Sequence, residues 1–199
     1  MSQEVVDWKR KLAKQSPNLL TGMRLLAVPF FVWLLIDPTP NGGLWATGIF
    51  IAASLTDWLD GYLARLYHAE SIVGKLLDPL ADKILTMAAL VMLTGAGSER
   101  AIPAWIVVAL LARDMLVTGL RSLAAVKGNI VEASRFAKHK TAWMMVAIIC
   151  LLISGRYSVF GVVVDFHWSG MVFLWISLFF SVTTGLHYAV KLRKVFDSE

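Results

Sequence analysis

SLTDWLDGYLARLYHAESIVGKLLDPLADKILT, residues 54–86, decides the reading of the whole chain. It lies among long apolar runs, yet it holds four aspartates. Asp57 and Asp60 are three apart; Asp78 and Asp82 are four apart. At about 100° per helical residue, each pair shares one helix face. Asp57, Asp60, Gly61, Ala64 and Arg65 fit within an arc of roughly 140°, and Gly74, Asp78 and Asp82 within roughly 80°. Two facing helices would bring four carboxylates, two glycines and an arginine to one place.

Such a cluster is costly in apolar surroundings unless counter-charge is supplied, because each ion loses hydration and like charges repel. Two divalent cations would balance four aspartates. Carboxylate oxygens are hard ligands that suit Mg2+ or Mn2+, and the segment has no cysteine to favour zinc. Paired ions of this kind clamp phosphoryl oxygens. Gly61 and Gly74 leave room for a bulky substrate near the backbone. The plainer alternative pairs the acids with Arg65, Lys75 and Lys83 on solvated helices. The apolar neighbours argue against it.

Composition sets the frame. The chain has 199 residues, is 57% hydrophobic and only 17% charged, and carries a net charge of +5. That is too apolar for an ordinary soluble domain and fits one membrane domain. The lone Cys150 excludes an internal disulfide. Residues 1–16 place Val5, Val6, Trp8 and Leu12 among lysines and an arginine. They read as an amphipathic helix lying on an anionic membrane face. Residues 17–199 read as a single membrane domain of six helices. The expected spans are 17–36, 44–67, 76–94, 102–126, 136–153 and 171–190, each near the length needed to cross. The first run ends in Asp37-Pro-Thr-Pro-Asn-Gly-Gly without a cleavage pattern, so no cleaved leader is expected. At Asp78-Pro79 either Asp78 caps a helix or a longer helix runs through the proline. Residues 155–169 read as an outer loop.

Lysine and arginine set the orientation. With six spans both termini share a side. Outside the spans, every basic residue falls on that side except Arg100 and Arg156. The termini are therefore expected in the cytoplasm, with Trp45, Trp105 and Trp168 near the outer interface. The aspartates then lie just inside the cytoplasmic interface, a depth that suits a lipid headgroup.

A second set of charges recurs in the later spans. Arg113 and Arg121 are two turns apart, and Lys140 opens the fifth span. Together they read as a pocket for a separate anionic group. The alternative pairs Arg113 with its neighbour Asp114. Arg24, in the first span, reads equally as a phosphate ligand or as a partner of a motif aspartate.

The pattern Asp57-x2-Asp60-Gly61-x2-Ala64-Arg65-x8-Gly74-x3-Asp78-x3-Asp82 resembles the signature of the CDP-alcohol phosphotransferase family. Eight specified positions at fixed spacing make the match specific. PNLLTGMRLLAVPF (17–30), IPAWIVVALLARDMLVTGLRSLAAVKG (102–128) and SRFAKHKTAW (134–143) extend it to bacterial members whose acceptor is glycerol 3-phosphate. Asp114 departs from the Glu expected there. The resemblance implies six transmembrane helices, a homodimer in the bacterial inner membrane, and a site facing the cytoplasm. It implies CDP-diacylglycerol as donor, held by Thr21, Gly61, Ala64, Arg65 and Gly74. Asp57, Asp60, Asp78 and Asp82 would ligate two divalent cations, with Asp82 also the general base. Arg113, Arg121, Lys140 and Arg24 would hold the acceptor's phosphate.

Other classes fit less well. An intramembrane prenyltransferase also uses aspartate pairs but not this Gly-Ala-Arg spacing. A transporter needs polar residues through the outer half of its spans, which are clean here. The basic segments lack the aromatic interleaving of a nucleic-acid surface, so no nucleic-acid partner is expected.

Overall fold

The computed structural model describes residues 22–36, 39–67, 72–95, 101–126, 135–159 and 161–196. The side chains of 40, 57–67, 72–82, 121–126, 135–138, 159, 189 and 191–196 lie outside the described residues, and only the backbone is described there. Six helices and one hairpin follow in order: α1 (Gly22–Ile36), α2 (Pro40–Tyr67), α3 (Ile72–Gly95), α4 (Ala104–Val126), α5 (Arg135–Ile153), β1 (Arg156–Val159), β2 (Val162–Asp165) and α6 (Phe166–Phe196). They form two compact units divided between Met92 and Leu93. The expected amphipathic segment, 1–16, lies outside the described residues. Among those that are described, Phe166–Tyr188 is long and apolar enough to cross a membrane; Gly22–Ile36, Lys83–Gly95 and His139–Ile153 are shorter apolar stretches.

In the first unit, α2 begins four residues before the expected Leu44. The Thr39 hydroxyl accepts the Gly42 N–H at 3.0 Å, and Pro40 takes the first helical position, where no N–H is needed. The Asn41-Gly42-Gly43 run, a turn signal by composition, is thereby drawn into the helix. Phe31 of α1 and Phe50 of α2 are fully buried and meet with ring centroids 6.4 Å apart. Hydroxyls inside the helix return to their own backbone, Thr47 to the Gly43 carbonyl and Ser54 to the Phe50 carbonyl, both at 2.8 Å. Helix α3 runs unbroken through Pro79, which settles the Asp78-Pro79 alternative in favour of the longer helix.

In the second unit, α6 packs against both α4 and α5. Leu174, Leu178 and Tyr188 of α6 are buried, and Val117 and Leu120 of α4 close on Tyr188. Trp143 stacks on Phe173, with centroids 5.4 Å apart. Gly170 permits the closest approach. A Cβ added there would stand 2.7 Å from Leu151 Cγ and 3.1 Å from the Leu151 backbone nitrogen.

The expected outer loop is instead a hairpin followed by the first turn of α6. Ser154 and Gly155, at φ 34° and 115°, end α5 in the left-handed region. β1 and β2 then pair antiparallel, Arg156 opposite Asp165 and Val159 opposite Val162. A two-residue connection joins them, and Gly161 at φ 82° suits its geometry. Asp165 serves twice. One carboxylate oxygen takes the Trp168 N–H at 3.0 Å, capping α6, and the other pairs with Arg156 at 3.2 Å.

Two predictions arise here. Gly170→Ala should lower the thermal midpoint in detergent although alanine is the better helix former, because overpacking costs about 1–3 kcal/mol; an unchanged or raised midpoint would refute the close contact. The Trp168 N–H first, and then Arg156, lower the Asp165 carboxyl below its ordinary value. A depressed carboxylate contributes stability above its unfolded pKa and loses it as pH falls through the folded one. The protection factor of the Trp168 amide should therefore drop on acidification, and Asp165→Asn should flatten that dependence. A wild-type profile in the Asn variant would show that Asp165 is not the titrating group.

Candidate active site

The aspartate motif falls on two helices of one unit. Asp57 and Asp60 lie in α2, Asp78 and Asp82 in α3, and the backbone is continuous through each pair. The i, i+3 and i, i+4 spacings thus place each pair on a single helix face, as the sequence requires. Gly61, Ala64 and Arg65 follow in α2, and Gly74 lies in the first turn of α3. The donor set is wholly carboxylate oxygen and so fits Mg2+ or Mn2+. The side chains of all these residues, and Thr21 entirely, lie outside the described residues. Among the described residues there is no cluster of three or more histidine, cysteine or acidic side chains.

Arg24 is described, and it is buried, at 5% exposure, on α1. It lines a cleft of about 220 Å3 between α1 and α2, together with Thr56, the residue before Asp57.

In the second unit the later charges converge on one carboxylate. An Asp114 oxygen accepts from the Arg113 guanidinium at 2.9 Å, and the same oxygen accepts from the Lys140 ammonium. Arg113 also donates through Nε to the Ser181 carbonyl at 2.9 Å and through its second terminal nitrogen to the Thr184 hydroxyl. The Lys140 carbonyl accepts the Ser177 hydroxyl at 3.2 Å. The Lys140 side chain is only 4% exposed, so its charge needs an anion at hand, and Asp114 supplies one. Arg113 and Asp114 side chains are 15% and 21% exposed. Two cations thus share one anion among the described contacts. The Ser181 hydroxyl is buried beside it without a hydrogen-bond partner among the described residues. Arg121 lies in α4, but its side chain is outside the described residues.

The structure therefore brings Arg113 and Lys140 together on Asp114. It also realises the alternative pairing of Arg113 with Asp114. What the sequence reading left out is α6, taken as generic span. Its Ser177, Ser181 and Thr184 recur at i, i+4 and i+7, one polar stripe along the helix. That spacing is the signal that could have found them. Gly185 completes the stripe, since a Cβ there would stand 3.2 Å from Arg113 Cγ.

A sequence profile described as CDP-alcohol phosphatidyltransferase matches residues 14–183. Curated relatives named CDP-diacylglycerol–glycerol-3-phosphate 3-phosphatidyltransferase are similar over most of their length. The one from Bacillus subtilis (strain 168) is 35% identical over 187 residues, covering 88% of this chain and 93% of that protein. That of Rickettsia bellii is 33% identical, covering 94% and 99%. That of Cereibacter sphaeroides is 41% identical over 138 residues, covering 69% and 62%.

The cation cluster yields a direct test. Asp114→Asn should destabilise the fold by about 1.5–3 kcal/mol, the scale of a hydrogen bond to a charged group, while Thr184→Val should cost about 1 kcal/mol. Thermal melting in detergent reads both. Wild-type midpoints in both variants would mean that the network does not hold the three helices.

Proposed function

This chain belongs to the CDP-alcohol phosphatidyltransferase family, and on that premise we propose that it transfers the phosphatidyl group of CDP-diacylglycerol to glycerol 3-phosphate, releasing CMP and forming phosphatidylglycerophosphate. The observation that carries this reading is the eight-position motif, laid on two continuous helices, in a chain whose named relatives use this donor and acceptor.

Six spans cross the bacterial inner membrane, with both termini and the site on the cytoplasmic side; the lysine and arginine distribution supports this orientation. The working form is a homodimer, as the family resemblance suggests. Asp57, Asp60, Asp78 and Asp82 hold two divalent cations, Mg2+ or Mn2+. Held there, such cations would supply charge neutralisation at the diphosphate. Thr21, Gly61, Ala64 and Gly74 make room for the cytidine diphosphate end, and Arg65 holds one of its phosphates.

Arg113, Arg121 and Lys140 hold the phosphate of the acceptor. The convergence of Arg113 and Lys140 at one place and the buried Ser181 hydroxyl support this role. Asp114 acts there by orienting the two cations. Asp82 takes the proton from the acceptor hydroxyl as its oxygen bonds to the β-phosphorus, and the bond from that phosphorus to the CMP oxygen breaks. Alignment and charge neutralisation at phosphorus lower most of the barrier. A positively charged pocket for a second phosphate also explains selection of a phosphorylated acceptor over inositol or serine.

The purified chain should release CMP from CDP-diacylglycerol only with glycerol 3-phosphate, when tested beside inositol, inositol phosphate and serine. EDTA should stop release, and Mg2+ or Mn2+ should restore it. Asp82→Asn should slow turnover about 10²–10⁴-fold, the usual contribution of a positioned base, with donor binding retained. Release with another alcohol would replace the acceptor, and full activity of the Asn variant would discard the base assignment.

A further inference from the structure

We propose that Thr184 is a positioning residue for the acceptor: its hydroxyl oxygen, beside the Ser181 carbonyl, holds the Arg113 guanidinium edge-on against α6 and leaves the remaining N–H groups for the acceptor's phosphate. The inference rests on the reading of Arg113 as a ligand of that phosphate, and it names what keeps the arginine available.

Two partners compete for this guanidinium, α6 and Asp114. A carboxylate that takes an arginine in two parallel hydrogen bonds spends the whole fork on an internal partner. Here Nε donates to the Ser181 carbonyl at 2.9 Å, and Nη2 donates to the Thr184 hydroxyl. Among the described contacts only Nη1 reaches Asp114, at 2.9 Å, and the oxygen it meets is shared with Lys140. A guanidinium carries five N–H groups, one on Nε and two on each terminal nitrogen. Three are engaged among the described residues, so one remains on each terminal nitrogen. That pair suits two oxygens of one phosphate.

Thr184 is arranged to accept rather than to donate. Its own proton goes back one helical turn, to the Phe180 carbonyl at 2.6 Å. With the proton placed there, a lone pair of the oxygen faces Arg113. The residue is buried, so bulk water does not stand in for it. Gly185, the next residue, keeps the approach open. A Cβ there would stand 3.2 Å from Arg113 Cγ and 3.4 Å from Nε. Valine at position 184 would keep the shape of threonine and remove the acceptor. The Nη2 N–H would then lack its partner in a buried site and turn to the anion already beside it, Asp114. Arginine and aspartate would close on each other, and the phosphate would lose its grip.

The test is steady-state CMP release by the full chain in mixed micelles of detergent and CDP-diacylglycerol, with each substrate varied in turn. Thr184→Val should raise KM for glycerol 3-phosphate about tenfold, the low end for a hydrogen bond to a charged group, with kcat and the donor KM within about twofold of wild type. Thr184→Ser keeps the hydroxyl and should restore the wild-type acceptor KM. Gly185→Ala crowds the arginine stem while keeping Thr184, and it should raise the same KM alone. Thr183→Val is the control. Its exposed hydroxyl meets only the Phe179 and Phe180 carbonyls, at 2.9 and 3.1 Å, and its loss should leave every constant unchanged. An equal rise in both KM values, a fall in kcat alone, or a serine variant no better than valine would overturn the positioning role and leave the enzymatic reading standing. A wild-type chain whose CMP release does not depend on glycerol 3-phosphate would overturn the acceptor reading, and this inference with it.

Discussion

A charge buried in an apolar chain has to meet its counter-charge within hydrogen-bonding distance, and the second unit is arranged to satisfy that demand at Asp114. The Lys140 ammonium is almost wholly removed from solvent. Leaving it without an anion would cost several kcal/mol, or would drive it to neutrality. Asp114 sits on α4, Lys140 on α5, and the Arg113 guanidinium links both to α6 through the Ser181 carbonyl and Thr184 hydroxyl. Three helices are thus joined through one carboxylate and one guanidinium. The planar fork of arginine is what allows this, since its nitrogens donate in several directions at once.

Close packing of α6 is the complement of that polar junction. Between apolar helices in a bilayer there is little hydrophobic drive to associate, so contact relies on small residues and interhelical hydrogen bonds. Gly170 lets α6 approach Leu151 of α5, and Gly185 lets it approach the stem of Arg113. Between them Ser177 donates to the Lys140 carbonyl. One face of α6 therefore supplies both the space and the donors. A larger residue in the stripe would push the guanidinium away from Ser181 and Thr184, which couples the packing of this helix to the geometry of the cations.

Much of this was legible from periodicity and spacing, and the parts that were not have local physical causes. The helical order was readable because apolar runs near twenty residues have few other solutions. The start of α2 was not, because Asn-Gly-Gly signals a turn until Thr39 is seen to cap and Pro40 to open the helix. The hairpin was hidden because Val162, Val163 and Val164 form a short apolar run next to a span, and only the Asp165 cap and Arg156 pair separate it from α6. The polar stripe of α6 was hidden because serine and threonine hardly lower the hydropathy of a span. The aspartate motif was readable in full as spacing, and the unbroken helices on either side of the 68–71 connection carry that spacing into three dimensions.

The length of the acid at position 114 bears on the same geometry. A glutamate would reach farther by one methylene. Here one carboxylate oxygen is shared by Arg113 and Lys140, and Arg113 is held besides by α6. A shorter acid can serve because the guanidinium is already drawn in by the Ser181 carbonyl and the Thr184 hydroxyl, while Gly185 offers no side chain to keep it out. The reach of Asp114 and the small residues of α6 therefore work together: close approach of that helix brings the guanidinium within range of a short acid.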